Sequence, residues 1–134
     1  QVIDKVVDAA EGSLEGERIA LWGLAFKAAT NDTRESPAVA IALSLLDQGA
    51  SVRAHDPVVD GSKFALECAD DPVTATAGCS LLVVATEWPQ YAGVDPALVA
   101  DQGVRAVIDV RNCLDPDQWT GAGIEYRGLG RSSR

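Results

Sequence analysis

The chain has 134 residues, 47% of them hydrophobic, which favours a single domain whose core needs neither disulfides nor a structural metal to fold. Its formal net charge of −9 argues against nucleic-acid binding, which requires a basic surface. Since the sequence contains no apolar run long enough to span a bilayer and no visible signal peptide, we also expect no membrane partner.

The cysteine and histidine content indicates neither a metal site nor a disulfide framework. Cys68, Cys79 and Cys113 are widely spaced, and His55 is the only histidine. An odd number of cysteines without a spacing pattern is typical of reduced thiols, so we expect a cytoplasmic location. The sequence begins with Gln1 and contains no methionine, which suggests a piece of a longer protein.

The first part of the chain predicts a helix, a buried strand and a second helix. Residues 1–10 place their apolar side chains on one helical stripe, and RIALWG at 18–23 is a continuous apolar run typical of a strand covered on both faces. Ser36 and Pro37 favour a helix start, because serine caps free amides and proline suits the first helical position. Gly49 is placed to end that helix.

The rest of the chain continues the alternation of strands and helices. The segments predict, in order, a strand at 51–57, a short edge strand at 64–69, a helix at 71–78, a buried strand at 80–88, a helix at 95–103, and strands at 104–112 and 123–130. This alternation predicts an α/β domain with right-handed crossovers. We expect a doubly wound, mainly parallel Rossmann-like sheet with helices on both faces and the strand order 3-2-1-4-5-6.

Polar segments lie at the carboxyl ends of the first, fourth and fifth predicted strands. They span 27–34, 86–88 and 111–112. In the expected strand order these segments flank the point where ligands bind. Adjacent strands lie about 4.8 Å apart, so Arg111 should begin roughly 10 Å across the sheet from Lys27, and both side chains could contact one phosphate-sized anion.

The first loop differs from the glycine-rich loop that binds a dinucleotide. Gly23 keeps the tight turn at the strand end, but Leu24, Ala25 and Phe26 replace the later glycines. A bulkier loop cannot bring a pyrophosphate against bare backbone, so side-chain cations must supply part of the neutralisation. The loop therefore predicts a nucleotide site that is not the ordinary dinucleotide cradle.

Each of these polar residues also fits a structural role. Asp56 stands where a ribose-binding acid lies in dinucleotide folds, but the following Pro57 fits a structural turn equally well. Glu87 suits either a general base or a rigid loop corner beside Trp88. Solvent-exposed or surface-paired side chains would equally account for the three cations, which are Lys27, Arg34 and Arg111.

The segment GLAFKAATNDTRESPAVAIALSLLDQGASVRAHDP at 23–57 resembles the C-terminal domain of the UDP-glucose/GDP-mannose dehydrogenase family. LLVVATEWPQY at 81–91 and VIDVRNCLD at 107–115 continue the resemblance, which extends over about residues 17–128. The match is specific because it fixes several polar residues within one loop.

The resemblance implies the substrate-binding domain of an NAD-dependent nucleotide-sugar 6-dehydrogenase of the UDP-glucose type, which oxidises the C6 alcohol to a carboxylate. Residues 1–16 would be the end of a central linker helix and its turn, and 17–134 the nucleotide-sugar-binding domain. By position, the contacts to the nucleotide sugar would come from Phe26, Lys27 and Arg111. Arg34 would contact the NAD pyrophosphate, with NAD bound mainly by an N-terminal domain of the full-length chain.

The resemblance also implies a homodimer that forms through the central helix. The family's catalytic cysteine and lysine belong to upstream segments, so we expect this fragment alone to be inactive. His55 stands where many relatives carry tyrosine, a change we interpret as packing, and Val110 replaces a glycine often found before the arginine. Three alternatives remain: a GDP-mannose or UDP-N-acetylhexosamine dehydrogenase domain, a stand-alone non-catalytic nucleotide-binding module, and a flavodoxin-like or receiver domain.

Overall fold

A computed structural model describes residues 2–25, 33 and 36–129 and shows a parallel β-sheet with helices on both faces. The strands are Arg18–Trp22 (β1), Ser51–His55 (β2), Glu67–Cys68 (β3), Leu81–Val84 (β4), Ala106–Asp109 (β5) and Glu125–Gly128 (β6). The α-helices are Val2–Ala9 (α1), Pro37–Asp47 (α2), Pro72–Ala75 (α3), Pro89–Ala92 (α4), Pro96–Asp101 (α5) and Pro116–Gly121 (α6), and a short 3-10 helix spans Gly61–Phe64. The strand order β3-β2-β1-β4-β5-β6 confirms the prediction.

The sheet separates two hydrophobic layers because successive side chains of each strand point to opposite faces. Ile19 and Leu21 of β1 face the layer formed with α1 and α2, whereas Trp22 faces the layer formed with α3 to α6. There the Trp22 ring stacks on Tyr91 of α4 with 5.0 Å between ring centroids, and it meets Trp119 of α6 edge-on at 6.0 Å. Helices on both faces confirm the doubly wound prediction.

Four of the described helices begin where a capping side chain precedes a proline. Ser36 caps α2 by accepting the N–H of Val39 at 3.4 Å, and α3, α5 and α6 begin after the capping aspartates Asp71, Asp95 and Asp115. The sequence prediction omits α4 and α6. These helices have four and six residues, too few to display a helical period.

The described helices are short, and α2 is the longest of them with 11 residues. Over the ranges that the structure describes, none has the length and apolar character needed to cross a bilayer.

The first helix packs on the same core as the sheet. Val6 of α1 is fully buried against it, and the guanidinium of Arg105 donates from Nη1 to the Ala9 carbonyl oxygen at 3.2 Å. Arg127 of β6 forms an ion pair with Asp8. The predicted boundary after residue 16 stays a prediction, because these contacts do not show where a linker helix would end.

Candidate functional site

Three loops meet at the carboxyl edge of the sheet, because β1, β4 and β5 are adjacent and parallel. We call this the switch-point edge, formed by residues 23–25 after β1, 86–88 after β4 and 111–112 after β5. Of the predicted ligand-binding residues, Arg111 lies at this edge. The others lie outside the described residues, and they are Phe26, Lys27 and Arg34. The convergence of Lys27 and Arg111 therefore stays a prediction.

The turn after β1 requires glycine. Gly23 has a φ of 100°, in the left-handed region that side chains disfavour. A Cβ at this position would overlap the Cβ and Oγ1 of Thr86 and would lie 2.8 Å from its backbone nitrogen. The strand end thus passes directly against the β4 loop, and the predicted tight turn at Gly23 is confirmed.

Two buried hydroxyl groups hold the carbonyls of the first loop. Thr86 Oγ1 donates to the Ala25 carbonyl oxygen at 3.0 Å, and Ser36 Oγ donates to the Leu24 carbonyl oxygen at 2.8 Å. The segment that leaves at Ala25 and returns at Ser36 therefore starts and ends close together. Its base is fixed to both β4 and α2.

Asp56 binds the amides of the same loop. Its carboxylate Oδ2 accepts three hydrogen bonds, from Leu24 N at 2.8 Å, Ala25 N at 3.1 Å and Trp88 Nε1 at 3.2 Å. Its Oδ1 accepts from the N–H groups of Val58 and Val59, each at 2.9 Å. All five donors belong to the protein, so the geometry supports the structural-turn interpretation of Asp56 rather than ribose binding.

Arg111 is paired with an acidic residue of the neighbouring loop. Its Nη2 donates to Glu87 Oε2 at 3.0 Å, and both side chains are roughly one third exposed. Arg111 also lines an open groove of about 520 Å³ together with Val2 and Ile3 of α1 and Pro37 of α2. Arg111 is therefore a surface-paired arginine that faces a groove.

The turn that presents Arg111 is set by the residue after it. Asn112 has a φ of 54°, and its Nδ2 donates to the Leu129 carbonyl oxygen at 2.7 Å. Val110 continues the sheet pairing, since its N–H donates to the Val84 carbonyl oxygen at 2.9 Å. The left-handed position is thus Asn112, and valine at 110 is compatible with the turn.

Local desolvation raises the pKa of all three cysteine thiols above its ordinary value, including that of Cys68, which is exposed as a residue. Burial and then the neighbouring Asp109 carboxylate raise the pKa of Cys113 to about 12. A protonated thiol attacks carbonyl carbon slowly. Among the residues that the structure describes, no group of His, Cys, Asp or Glu side chains could hold a metal ion.

His55 is a packed core residue. It is buried, and its Nδ1 lies 3.0 Å from the hydroxyl oxygen of Tyr91, which donates to the His55 carbonyl oxygen at 3.1 Å. Burial lowers the pKa of its imidazole, so the neutral ring is favoured. The packing interpretation of His55 is confirmed.

Sequence comparison identifies the family. The model of the UDP-binding domain of the UDP-glucose/GDP-mannose dehydrogenase family matches residues 20–116, from β1 to the first residue of α6. The chain belongs to this family. The matched range includes all three loops of the switch-point edge.

Relatives of known structure or function support the same family. UDP-glucose 6-dehydrogenase of Rhizobium meliloti is 37% identical over 134 residues, which cover 95% of this chain and 30% of the relative. The Pseudomonas aeruginosa UDP-glucose 6-dehydrogenase is 36% identical, covering 90% of this chain and 29% of the relative. A UDP-glucose dehydrogenase structure from Pyrobaculum islandicum superimposes with a TM-score of 0.76 at 30% identity, covering 98% of this chain and 29% of that one. The chain therefore spans less than a third of the length of these relatives.

Proposed function

We propose that this chain is the substrate-binding domain of an NAD-dependent UDP-glucose 6-dehydrogenase, which oxidises the C6 alcohol of the sugar to a carboxylate. The observation that carries the proposal is the family match over residues 20–116. UDP-glucose is favoured over GDP-mannose and UDP-N-acetylhexosamines because the relatives at 36% and 37% identity are UDP-glucose 6-dehydrogenases.

We assign this domain the task of binding and orienting the nucleotide sugar. Phe26, Lys27 and Arg111 would contact the nucleotide sugar, the lysine as a compact charge and the arginine as a bidentate donor. Arg34 would contact the NAD pyrophosphate. The position of Arg111 at the switch-point edge supports its role, since ligands of doubly wound sheets bind at this edge.

The backbone amides at the start of the first loop do not form a cradle for the pyrophosphate of NAD. Those of Leu24 and Ala25 already donate to the Asp56 carboxylate, so they are not available to a ligand. We therefore place NAD, which accepts hydride when bound, mainly on an N-terminal domain of a longer chain. Residues 1–16 would be the end of the linker helix and 17–134 the substrate domain, in a cytoplasmic homodimer formed through that helix.

Substitutions in the full-length enzyme test the assignment of the two loop cations. A charge-assisted contact to phosphate is worth about 1.5–3 kcal/mol, so Lys27→Ala should raise the KM for UDP-glucose roughly tenfold or more. Arg34→Ala should instead raise the KM for NAD. Initial rates of NADH formation, with each substrate varied in turn, measure both constants.

Arg18→Ala is the matched control, because it also removes one positive charge but lies at the opposite end of β1. It should leave both KM values within about twofold. If Lys27→Ala and Arg34→Ala behave like Arg18→Ala, the loop assignment is wrong.

We further propose that the 134-residue chain alone does not oxidise UDP-glucose. The raised pKa values of Cys68, Cys79 and Cys113 support this, since they disfavour the thiolate form that attacks to make a thioester. Purified chain incubated with NAD and UDP-glucose should form no NADH above the background rate. Turnover abolished by alkylating one of these cysteines would contradict the proposal.

A further inference from the structure

The carboxylate of Asp56 occupies a position that the doubly wound fold usually leaves for a ligand. In dinucleotide-binding domains, backbone amides of the turn after the first strand bind the pyrophosphate. Here the corresponding amides, Leu24 N and Ala25 N, lie 2.8 and 3.1 Å from Asp56 Oδ2. An anion is thus present at this place, but it comes from the protein itself.

We propose that Asp56 is an internal anion that fills the phosphate cradle of the first loop and excludes dinucleotides from it. Leu24 and Ala25 point their N–H groups at one oxygen, as they would at a phosphate. The carboxylate blocks a phosphate in two ways, because it occupies the donors and repels a second negative charge. This assignment goes beyond the proposed function and does not depend on which sugar nucleotide is bound.

The same carboxylate joins the first loop to the loop after β4. Besides the first loop it accepts from the indole Nε1 of Trp88 at 3.2 Å, and from two amides of its own turn. Trp88 directly follows Glu87, whose carboxylate pairs with Arg111 at 3.0 Å. Asp56 is therefore a positioning residue: it fixes the start of the segment that carries Lys27 and, through Trp88, the loop that holds Arg111.

Chemical rescue of Asp56→Ala tests the internal anion. The substitution leaves a space of the size of formate beside five N–H donors. In the 134-residue chain we expect the melting temperature to fall by about 10 °C, because several hydrogen bonds to a charged acceptor are lost. Sodium formate at about 100 mM should restore at least half of this loss, and sodium chloride at equal ionic strength should not.

Asp60→Ala is the matched control for the rescue. Asp60 lies four residues further along the chain and caps the 3-10 helix, where its Oδ1 accepts from Ser62 N at 2.9 Å. Formate and chloride should have equal effects on this variant, because its carboxylate is exposed and caps a single turn. Equal effects of the two salts on Asp56→Ala would overturn the proposal. If Asp56→Ala does not fold in buffer alone, folding in formate but not in chloride supports the proposal, and failure to fold in either salt overturns it.

Titration with inorganic pyrophosphate tests the exclusion in the Lys27→Ala chain, from which the proposed phosphate contact of Lys27 has been removed. The amide resonances of Leu24 and Ala25 should show no saturable shift up to about 10 mM pyrophosphate, whereas in the Lys27→Ala/Asp56→Ala chain they should shift and saturate. A saturable shift of both resonances while Asp56 is present would show that the cradle is open and would overturn the assignment. Neither result depends on dehydrogenase activity, so this proposal and the proposed function can fail separately.

Discussion

At the residue scale, the switch-point edge depends on the backbone conformation of Gly23. Its φ of 100° lets β1 end against the β4 loop, and its N–H donates to the His55 carbonyl oxygen at 2.7 Å. Without a Cβ, the chain can turn immediately toward the Asp56 carboxylate. A single glycine thus brings three strand ends together.

Gly23→Ala should destabilise the chain by at least about 3 kcal/mol. An alanine would be strained at this positive φ, and its Cβ would overlap Thr86. Gly121→Ala is the matched control: this glycine ends α6, and, apart from its chain neighbours and the backbone of its own helix, no described atom lies within 4 Å of the place that the new methyl group would take. It should stabilise the chain by up to about 1 kcal/mol. Urea unfolding followed by circular dichroism measures both values, and equal free energies for the two variants would refute the steric argument.

Asp56 shows where residue-level prediction from the sequence ends. Four Asp-Pro pairs occur in the chain, and three of them begin α3, α5 and α6. The fourth, Asp56-Pro57, is followed by the turn to the 3-10 helix, and its carboxylate reaches across to Leu24. The local sequence signals a capping aspartate at all four places. Only the strand order, which brings β2 beside β1, shows that this one also caps a neighbouring loop.

At the scale of elements, the strands were predictable because each central strand is buried on both faces. Leu81–Val84 and Ala106–Asp109 are entirely buried, so they appear in the sequence as continuous apolar runs bounded by polar residues. The edge strand Glu67–Cys68 has only two residues and lies within a longer predicted segment. Helices α4 and α6 carry too few residues for periodicity. Pro89 is the start signal of α4, which has no side-chain cap, whereas α6 has both the capping Asp115 and Pro116.

The contact between β2 and α4 should make stability depend on pH. Burial lowers the pKa of His55 below its ordinary value of 6.5, so the unfolded chain binds a proton more readily than the folded chain. Stability from this group is fully present above about pH 6.5 and is lost as the pH falls through the lowered folded-state pKa.

His55→Phe should remove this dependence, because phenylalanine fills a similar space but does not titrate. The free energy of unfolding should fall less between pH 7 and pH 5 in His55→Phe than in the wild-type chain, although carboxylates give both chains a common background. Urea titrations at a series of pH values give the difference. Parallel pH profiles would show that the imidazole does not titrate differently on unfolding.

At the scale of the whole molecule, α1 and the turn after it belong to the core as much as the strands do. Val6 and Leu14 are almost fully buried in the layer that also holds Ile19. The sequence predicts a helix here, and the family resemblance assigns it to a linker. Sequence alone could not show its packing, because residues far along the chain, such as Arg105 and Arg127, supply the contacts.

A chain that begins at residue 17 should therefore be less stable by about 3–6 kcal/mol, since it lacks the buried side chains of Val6 and Leu14. Urea unfolding of the shortened and complete chains measures the difference. Leu14→Ala in the complete chain should cost about 2–5 kcal/mol, and the exposed neighbour Ser13→Ala should cost little. Equal stability of the two chains would support an independent domain that starts at residue 17.

Some residues of the candidate site could be predicted from the sequence, and others could not. The position of Arg111 followed from the strand order, which the structure confirms. Its partner Glu87 did not follow from the sequence, because the pair joins two loops 24 residues apart. The roles of Phe26, Lys27 and Arg34 still rest on resemblance, and the substitutions proposed above address two of them directly.

The indole of Trp88 gives this domain a native optical reporter. Trp22 and Trp119 are buried within one layer, whereas Trp88 is partly exposed and its N–H donates to a carboxylate at the switch-point edge. A soluble quencher such as acrylamide should therefore quench the fluorescence of Trp88 more strongly than that of Trp22 and Trp119. Binding of a nucleotide sugar at the proposed site should then change the Trp88 emission, so it can be followed by fluorescence without attaching any dye.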